Sequence, residues 1–381
     1  MAEDWQNGGF GLYIHWPFCA AKCPYCDFNS HVTRTVDHDQ WRDALVSEIA
    51  KAGQQTQGRV LQSVFFGGGT PSLMAPSTVD AIMRTVERTW PTANDLEVTL
   101  EANPTSVEAA RFADFRTAGV NRVSMGIQAL NDTDLKALGR MHTAAEGLAA
   151  FDIARNTFER VSFDLMYGRQ NQSLSQWETE LQQALSLGLD HVSLYQLTIE
   201  AGTAFGDRYA VGALRGLPDD DLSADMYAIT QDICSAFSMP RYEVSNHAKD
   251  GAESRHNLIY WRYGDYIGIG PGAHGRVTLD GTRYATEQAR MPAAWLTKDN
   301  RETREALSGQ DQAVEFLMMG LRVSQGIDLK RYSDLAGRPV SVARIDELVD
   351  LEMITVAGSQ MTLTDQGFTL LNGVLRTLLA D

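Results

Sequence analysis

Val64-Phe65-Phe66-Gly67-Gly68-Gly69-Thr70-Pro71 runs an apolar, aromatic segment into three glycines and a Thr-Pro turn. The run has the composition of a short buried strand, and the glycines let another group approach the backbone at its end. Five further runs end in polar or reactive residues. Leu12–Trp16 leads into a cysteine-rich loop, Leu96–Leu100 into Glu101-Ala102-Asn103-Pro104, and Arg122–Met125 is followed by Gln128. Val161–Met166 contains Asp164, and Val192–Leu197 ends at Gln196 and Thr198. Amphipathic segments lie between the runs, at Trp41–Ala52, Val79–Trp90, Glu108–Ala118 and Leu174–Leu187. Capping-box spacing is present at Thr105 with Glu108, Thr143 with Glu146 and Ser175 with Glu178. Strand followed by helix, six times over, means parallel strands joined by crossovers. An open doubly wound sheet and a (β/α) barrel both satisfy that order. Polar residues at the end of every strand favour the barrel, because its strand ends converge on one face. An open sheet gathers ligands mainly at its switch point.

The expected fold class is therefore α/β, a partial (β/α)6 barrel over residues 1–215. After residue 215 the rhythm breaks, and residues 216–304 form an extension in which a helix at Ser223–Phe237 is followed by glycines crowded into Gly264–Gly275. From residue 305 to 381 the pattern is three helices, two short runs (Ile354–Ala357 and Gln360–Leu363) split by Gly358-Ser359, and a last helix. That order suits a small α+β winged-helix-like C-terminal domain.

The chain has 381 residues, 44% hydrophobic and 22% charged, an ordinary globular composition. With 33 Lys and Arg against 49 Asp and Glu its formal charge is −16, and no basic run stands out. Phosphate backbones would repel such a chain, so nucleic acid is a poor expectation as partner. No charged-then-apolar leader and no stretch of about eighteen apolar residues occurs, which leads us to expect a cytoplasmic protein without a membrane span.

Three of the four cysteines fall in Cys19-Ala20-Ala21-Lys22-Cys23-Pro24-Tyr25-Cys26, spaced C-x3-C-x2-C, while Cys234 stands alone in a helical pattern. Clustered thiols without a secretory signal point to a metal site rather than to disulfides. Thiolates suit zinc and iron–sulfur clusters. A structural zinc site needs a fourth protein ligand, for which His15 and His31 are near enough in sequence. Three cysteines on a short loop can instead hold three irons of a 4Fe–4S cube and leave the fourth open.

The loop, followed by Gly67-Gly68-Gly69-Thr70-Pro71, resembles the radical S-adenosylmethionine superfamily. The resemblance implies a 4Fe–4S cluster on Cys19, Cys23 and Cys26, with S-adenosylmethionine chelating the unique iron. It also implies reductive cleavage of the sulfonium to methionine and a 5′-deoxyadenosyl radical. Tyr13, Tyr25, Gly68, Gly69, Thr70, Glu101, Gln128, Arg140, Asp164 and Thr198 are the residues it places around that cofactor.

The likeness extends through Arg122-Val-Ser-Met-Gly-Ile-Gln128, Asp164-Leu-Met-Tyr-Gly168 and Tyr195-Gln-Leu-Thr198. These are similar to the branch that holds the oxygen-independent coproporphyrinogen oxidases and the HemW-type heme chaperones. The oxidases carry a further cysteine two positions past the triad, where this sequence has Phe28, and a longer arm before the first strand. His256-Asn257-Leu-Ile-Tyr260-Trp261 matches the heme-binding H-N-x-x-Y-W pattern of the chaperones, with His274 a second candidate ligand. An imidazole can ligate heme iron, and Tyr and Trp offer flat apolar area to the macrocycle. One departure stands at Arg169-Gln-Asn-Gln-Ser173, where the family has an apolar residue and proline, so the turn there is expected to differ. The resemblance thus implies a chaperone that binds heme and passes it to apo-hemoproteins, membrane respiratory enzymes among the candidate acceptors. The alternative is a radical oxidoreductase acting on a tetrapyrrole.

Overall fold

The computed structural model describes residues 3–380. Strands β1 (Phe10–Trp16), β2 (Leu61–Gly68), β3 (Thr92–Ala102), β4 (Arg122–Gln128), β5 (Arg160–Tyr167) and β6 (His191–Gln196) pair in parallel, each with the next in the chain. Helices His38–Gln55, Pro76–Thr89, Ala144–Thr157 and Leu174–Leu185 make the crossovers. The helix expected over Glu108–Ala118 is split into Ser106–Ala109 and Phe112–Thr117. Thr143 and Glu146 form the capping box the sequence announced. The box expected at Ser175 with Glu178 lies two residues earlier, at Ser173 with Gln176. Both pairs have the i, i+3 spacing, and Ser173 is the one with an extended backbone.

Side chains alternate across a strand, so the register sorts them onto two faces. Leu12, Ile14, Val64, Phe66, Val98, Leu100, Val123, Met125, Phe163, Leu165, Val192 and Leu194 are buried in one apolar cluster with the helices. The opposite face carries Tyr13, Ser63, Phe65, Glu97, Thr99, Glu101, Arg122, Ser124, Ser162, Asp164, His191, Ser193 and Tyr195, with Glu101 beside Ser124 and Asp164 beside Ser193. This polar face is the barrel lumen.

Elements the sequence did not announce extend the sheet at both edges. Strands β7 (Arg241–Glu243) and β8 (Asn246–Ala248) turn back on β6, β8 pairing antiparallel with it. A seventh parallel strand, β9 (Asp265–Ile269), pairs with the outer side of β1. Then β10 (His274–Leu279), β11 (Thr282–Gln288) and β12 (Glu302–Ala306) follow as an antiparallel meander. The sheet of twelve strands runs β12-β11-β10-β9-β1-β2-β3-β4-β5-β6-β8-β7.

The C-terminal part matches its pattern. Helices Gly309–Gly320, Leu329–Ala336 and Val342–Asp350 precede strands Ile354–Ala357 and Gln360–Leu363, and Leu371–Leu379 closes the chain. A two-residue strand, Ile327–Asp328, completes a small sheet. These elements share a separate core around Phe316, Leu317, Tyr332, Leu348, Met361 and Leu375. Among the described residues no helix is long and apolar enough to cross a membrane.

Candidate cluster and cofactor site

Phe18–Cys19 pairs in parallel with His31–Val32, which closes the cysteine loop on itself. The glycine run after β2 lies directly against its entry. Gly69 N donates to Trp16 O at 2.7 Å, and Thr70 N donates to Phe18 O at 2.9 Å. A Cβ at position 69 would stand 2.7 Å from Phe18 O and 3.0 Å from Cys19 Sγ, so only glycine fits. Gly68 has φ +114°, a conformation other residues avoid, and in it the amide donates to Glu101 Oε2 at 3.1 Å.

Each thiol has a polar neighbour. Thr70 Oγ1 donates to Cys19 Sγ at 3.5 Å, Arg140 Nη1 to Cys23 Sγ at 3.3 Å, and Ser30 Oγ lies 3.9 Å from Cys26 Sγ. Burial raises the Cys19 and Cys26 thiols above their ordinary pKa, and the neighbouring thiols push in the same direction. Among the described residues no three His, Cys, Asp or Glu side chains converge as ligands of a single ion. The two histidines differ: His15 has both ring nitrogens engaged, His31 only Nε2. His15 Nδ1 lies 3.0 Å from Tyr13 Oη, His15 Nε2 lies 3.0 Å from Asn29 O, and His31 Nε2 lies 3.3 Å from Asn29 Oδ1. Three thiols on one short loop, each with a polar neighbour, fit a multi-iron cluster with an open corner.

A polar cage continues from the thiols into the lumen. Arg140 Nη2 donates to Asn103 Oδ1 at 2.6 Å and to Gly126 O at 2.9 Å, and Asn103 Nδ2 donates to Thr70 Oγ1 at 3.2 Å. Arg140, Asn103 and Thr70 therefore link Cys23 to Cys19. Burial, and secondly the charge of Asp164, raises the Glu101 carboxyl to about 8. Burial raises Asp164 to about 6, relieved by hydrogen bonds from Ser193 and Ser124, the latter at 3.0 Å. A cation brought beside these carboxyls would favour their ionised forms, their protons passing to solvent. Gln128, at φ +68°, has a buried Oε1 with no hydrogen-bond partner among the described residues. Tyr25 lies beside Arg140 and Cys23, with its phenol pKa raised by burial. Thr198 differs from the rest: it is exposed in the segment after β6, and none of these hydrogen bonds reaches it.

The H-N-x-x-Y-W segment is a single short helix, Arg255–Trp261, capped by the Ser254 side chain. It closes the lumen at the strand ends opposite the cysteine loop. His256 Nδ1 lies 3.2 Å from Ser63 Oγ, its amide donates to Glu97 Oε1 at 3.3 Å, and its ring stacks on Phe65 at 4.6 Å between centroids. The imidazole is 2% exposed. Burial, followed by the charge of Arg122, lowers its pKa to about 3, and Nε2 has no partner. Asn257 Nδ2 donates to Tyr242 Oη at 3.3 Å, Tyr260 packs edge-on to His256 and Tyr266, and Trp261 Nε1 is buried without a partner. The four motif residues are brought together, as the floor of the barrel. A cavity of about 1190 Å³ lined by Trp5, Gln54, Arg59, Gln62 and Tyr284 contains none of these site residues.

Two residues were missed from sequence. Asn103 bridges Arg140 and Thr70, and its place directly behind Glu101 was the available signal. Arg169, the departure noted above, is buried and pairs with Glu180 and with Asp134 at 2.9 Å. It also donates to Gln128 O at 3.3 Å and Met166 O at 2.9 Å, tying the ends of β4 and β5 together.

Comparison with known proteins agrees with this geometry. Residues 13–184 match the family described as the radical SAM superfamily, and residues 307–370 match the HemN C-terminal domain. The heme chaperone HemW of Escherichia coli is 39% identical over 375 residues, 97% of this chain and 98% of that protein. The mitochondrial radical S-adenosyl methionine domain-containing protein 1 of Bos taurus is 39% identical over 388 residues, 97% of this chain and 87% of that protein. Among solved structures, coproporphyrinogen III oxidase (HemN) of Escherichia coli superposes with a TM-score of 0.81 over 99% of this chain and 91% of its own, at 20% identity.

Proposed function

Since this chain belongs to the radical S-adenosylmethionine superfamily, in the family of the HemW heme chaperones, we propose that it binds heme and delivers it to apo-hemoproteins. The observation that carries this reading is the full-length match at 39% identity to a protein named a heme chaperone. Phe28 supports it, standing 60% exposed where the oxidases have their further cysteine. Cys19, Cys23 and Cys26 would hold the 4Fe–4S cluster. Gly68, Gly69 and Thr70 would face the methionyl part of S-adenosylmethionine, while Glu101, Gln128, Arg140 and Asp164 would take its charged and hydroxyl groups. Such a pair supplies one-electron cleavage of a sulfonium when the cluster is reduced. The chain's own part is to seat it: an ammonium near Glu101 would stabilise the carboxylate, its proton passing to solvent, and the guanidinium of Arg140 would hold the thiolate of Cys23. Free cysteines throughout suit a reducing cytoplasm, from which membrane respiratory enzymes could be supplied as acceptors.

A second reading, radical oxidation of a tetrapyrrole, is favoured by one observation. His256 Nε2 is buried without a partner, beside the lumen residues Ser63 and Phe65, as a contact for a substrate held inside would be. The test is anaerobic reconstitution followed by hemin titration and transfer to an apo-hemoprotein, beside an assay for protoporphyrinogen with reductant and S-adenosylmethionine. We expect a saturable Soret shift, transfer, and no protoporphyrinogen. No shift with an intact cluster would end the chaperone reading, and turnover to protoporphyrinogen would establish the second one.

A further inference from the structure

Two of the three thiols on the cysteine loop receive hydrogen bonds that trace back to one guanidinium. Arg140 Nη1 donates directly to Cys23 Sγ at 3.3 Å. Its Nη2 donates to Asn103 Oδ1 at 2.6 Å, Asn103 Nδ2 donates to Thr70 Oγ1 at 3.2 Å, and Thr70 Oγ1 donates to Cys19 Sγ at 3.5 Å. The third thiol has a weaker neighbour: Ser30 Oγ stands 3.9 Å from Cys26 Sγ, and either atom can give the hydrogen.

The chemistry of the groups fixes the direction of each hydrogen along this chain. A guanidinium only donates, so the amide atom facing Arg140 is the oxygen and the one facing Thr70 is the nitrogen. Thr70 must accept from that nitrogen, which leaves its single hydroxyl hydrogen for Cys19 Sγ. Without the Asn103 amide, that hydroxyl would be free to turn away from the sulfur.

Asn103 is itself held from behind. Its backbone N donates to Glu108 Oε2 at 2.8 Å, and the same oxygen accepts from Ser72 Oγ, two residues past Thr70. Glu108 thus staples the end of β3 to the turn that follows the glycine run. Pro104 keeps the Asn103 backbone out of the helical region, so the side chain leaves a fixed base. Thr70 is 5% exposed and Cys19 8%, so water competes little with these donors.

We propose that Asn103 is a positioning residue that sets the reduction potential of the cluster on Cys19, Cys23 and Cys26. A cluster gains negative charge when it takes up an electron, and donors aimed at its sulfurs favour that reduced state. Asn103 passes the pull of the Arg140 cation through Thr70 to Cys19, and its Oδ1 keeps the same guanidinium in place against Cys23. The reduced cluster is the form that cleaves a sulfonium, so this amide governs how readily that form is reached. The assignment rests on the cluster reading and adds to it which residue tunes the cluster. An asparagine with only a structural role would change how much cluster the protein holds and leave its potential alone.

The test is a potentiometric titration of anaerobically reconstituted protein, followed by the EPR signal of the reduced cluster. It compares wild type, Asn103→Ala, Thr70→Val, Thr70→Ser, and Asn103→Ala with Thr70→Val, each first assayed for iron and sulfide. Asn103→Ala and Thr70→Val should each lower the ratio of reduced to oxidised cluster at a given potential about tenfold, which is about 59 mV for one electron. Thr70→Ser keeps the hydroxyl and should stay at the wild-type potential. The double variant should fall no lower than Asn103→Ala alone, because the two residues act in series. A wild-type potential in Asn103→Ala or in Thr70→Val would overturn the assignment, as would shifts that add in the double variant. Should Asn103→Ala hold no cluster, Thr70→Val against Thr70→Ser decides by the same criterion. Wild type that assembles no iron–sulfur cluster would instead remove the cluster reading on which the assignment stands.

Discussion

At the scale of single residues the site turns on how closely backbone can approach sulfur. Position 69 leaves no room for a methyl group, since the obstructing atoms are the Phe18 carbonyl and Cys19 Sγ rather than a yielding side-chain tip. Gly69→Ala must therefore push the cysteine loop away from β2. Overpacking of this kind costs about 1–3 kcal/mol. The expected outcome is a protein that folds with a modestly lower Tm and, after anaerobic reconstitution, holds much less iron and sulfide than wild type. Wild-type iron content in this variant would show that the glycine run does not position the loop. The cysteines and glycines were legible because their chemistry is carried by identity and short spacing. The contacts of Arg140 were not: nothing in its sequence neighbourhood says that it reaches back 117 residues to Cys23. Burial of His256 was also hidden, because a seven-residue helix is too short to display a clear apolar face.

At the scale of elements, the ends of β4 and β5 are joined by Arg169. Its guanidinium is buried against Glu180, which also accepts from Leu130 N at 2.6 Å. Removing one partner of such a pair leaves a charge without compensation, at a cost of about 3–5 kcal/mol. Arg169→Met should lose roughly that much in urea denaturation, and Arg169→Met with Glu180→Met should recover most of it, since a buried pair is worth little against well-packed apolar replacements. The single variant should also bind S-adenosylmethionine more weakly, because the Gln128 backbone loses the donor that holds it. A double variant no more stable than the single one would mean that Arg169 acts through its backbone contacts alone. The six parallel strands could be read because each is a β-branched or aromatic run bounded by turn residues. The seventh, Asp265–Ile269, could not be read. Glycines at 264, 268 and 270 make it look like a loop, and they are there because β1 and β10 lie so close on either side.

At the scale of the whole molecule, buried titratable groups make stability depend on pH from two directions. Glu101, Glu243 and Asp164 have folded-state pKa values near 8, 7 and 6, each raised first by burial above the ordinary carboxyl range. The folded chain therefore holds protons that the unfolded chain has lost, and stability declines as pH rises through those values. His256 and His247, near 3, and His142, near 4, are lowered, again first by burial. Here the unfolded chain takes protons that the folded one refuses, so stability declines as pH falls below about 6.5 toward 3. Between roughly pH 4.5 and 6.5 the two effects oppose each other, and above 6.5 only the carboxyls still titrate. Protein without cofactors should thus be most stable on a plateau in mildly acid solution and lose stability from pH 6.5 to 8.5. The slope is at most about 1.4 kcal/mol per pH unit for each carboxyl in its own window. Urea denaturation across that range measures it. Glu101→Gln should flatten the alkaline limb, because the amide carries no proton to lose. Bound S-adenosylmethionine should flatten it too, since a cation beside Glu101 stabilises the ionised carboxylate that burial otherwise penalises. A limb unchanged by Glu101→Gln would place the titrating group elsewhere, and a limb unchanged by the ligand would mean that its cationic groups do not lie against this carboxyl.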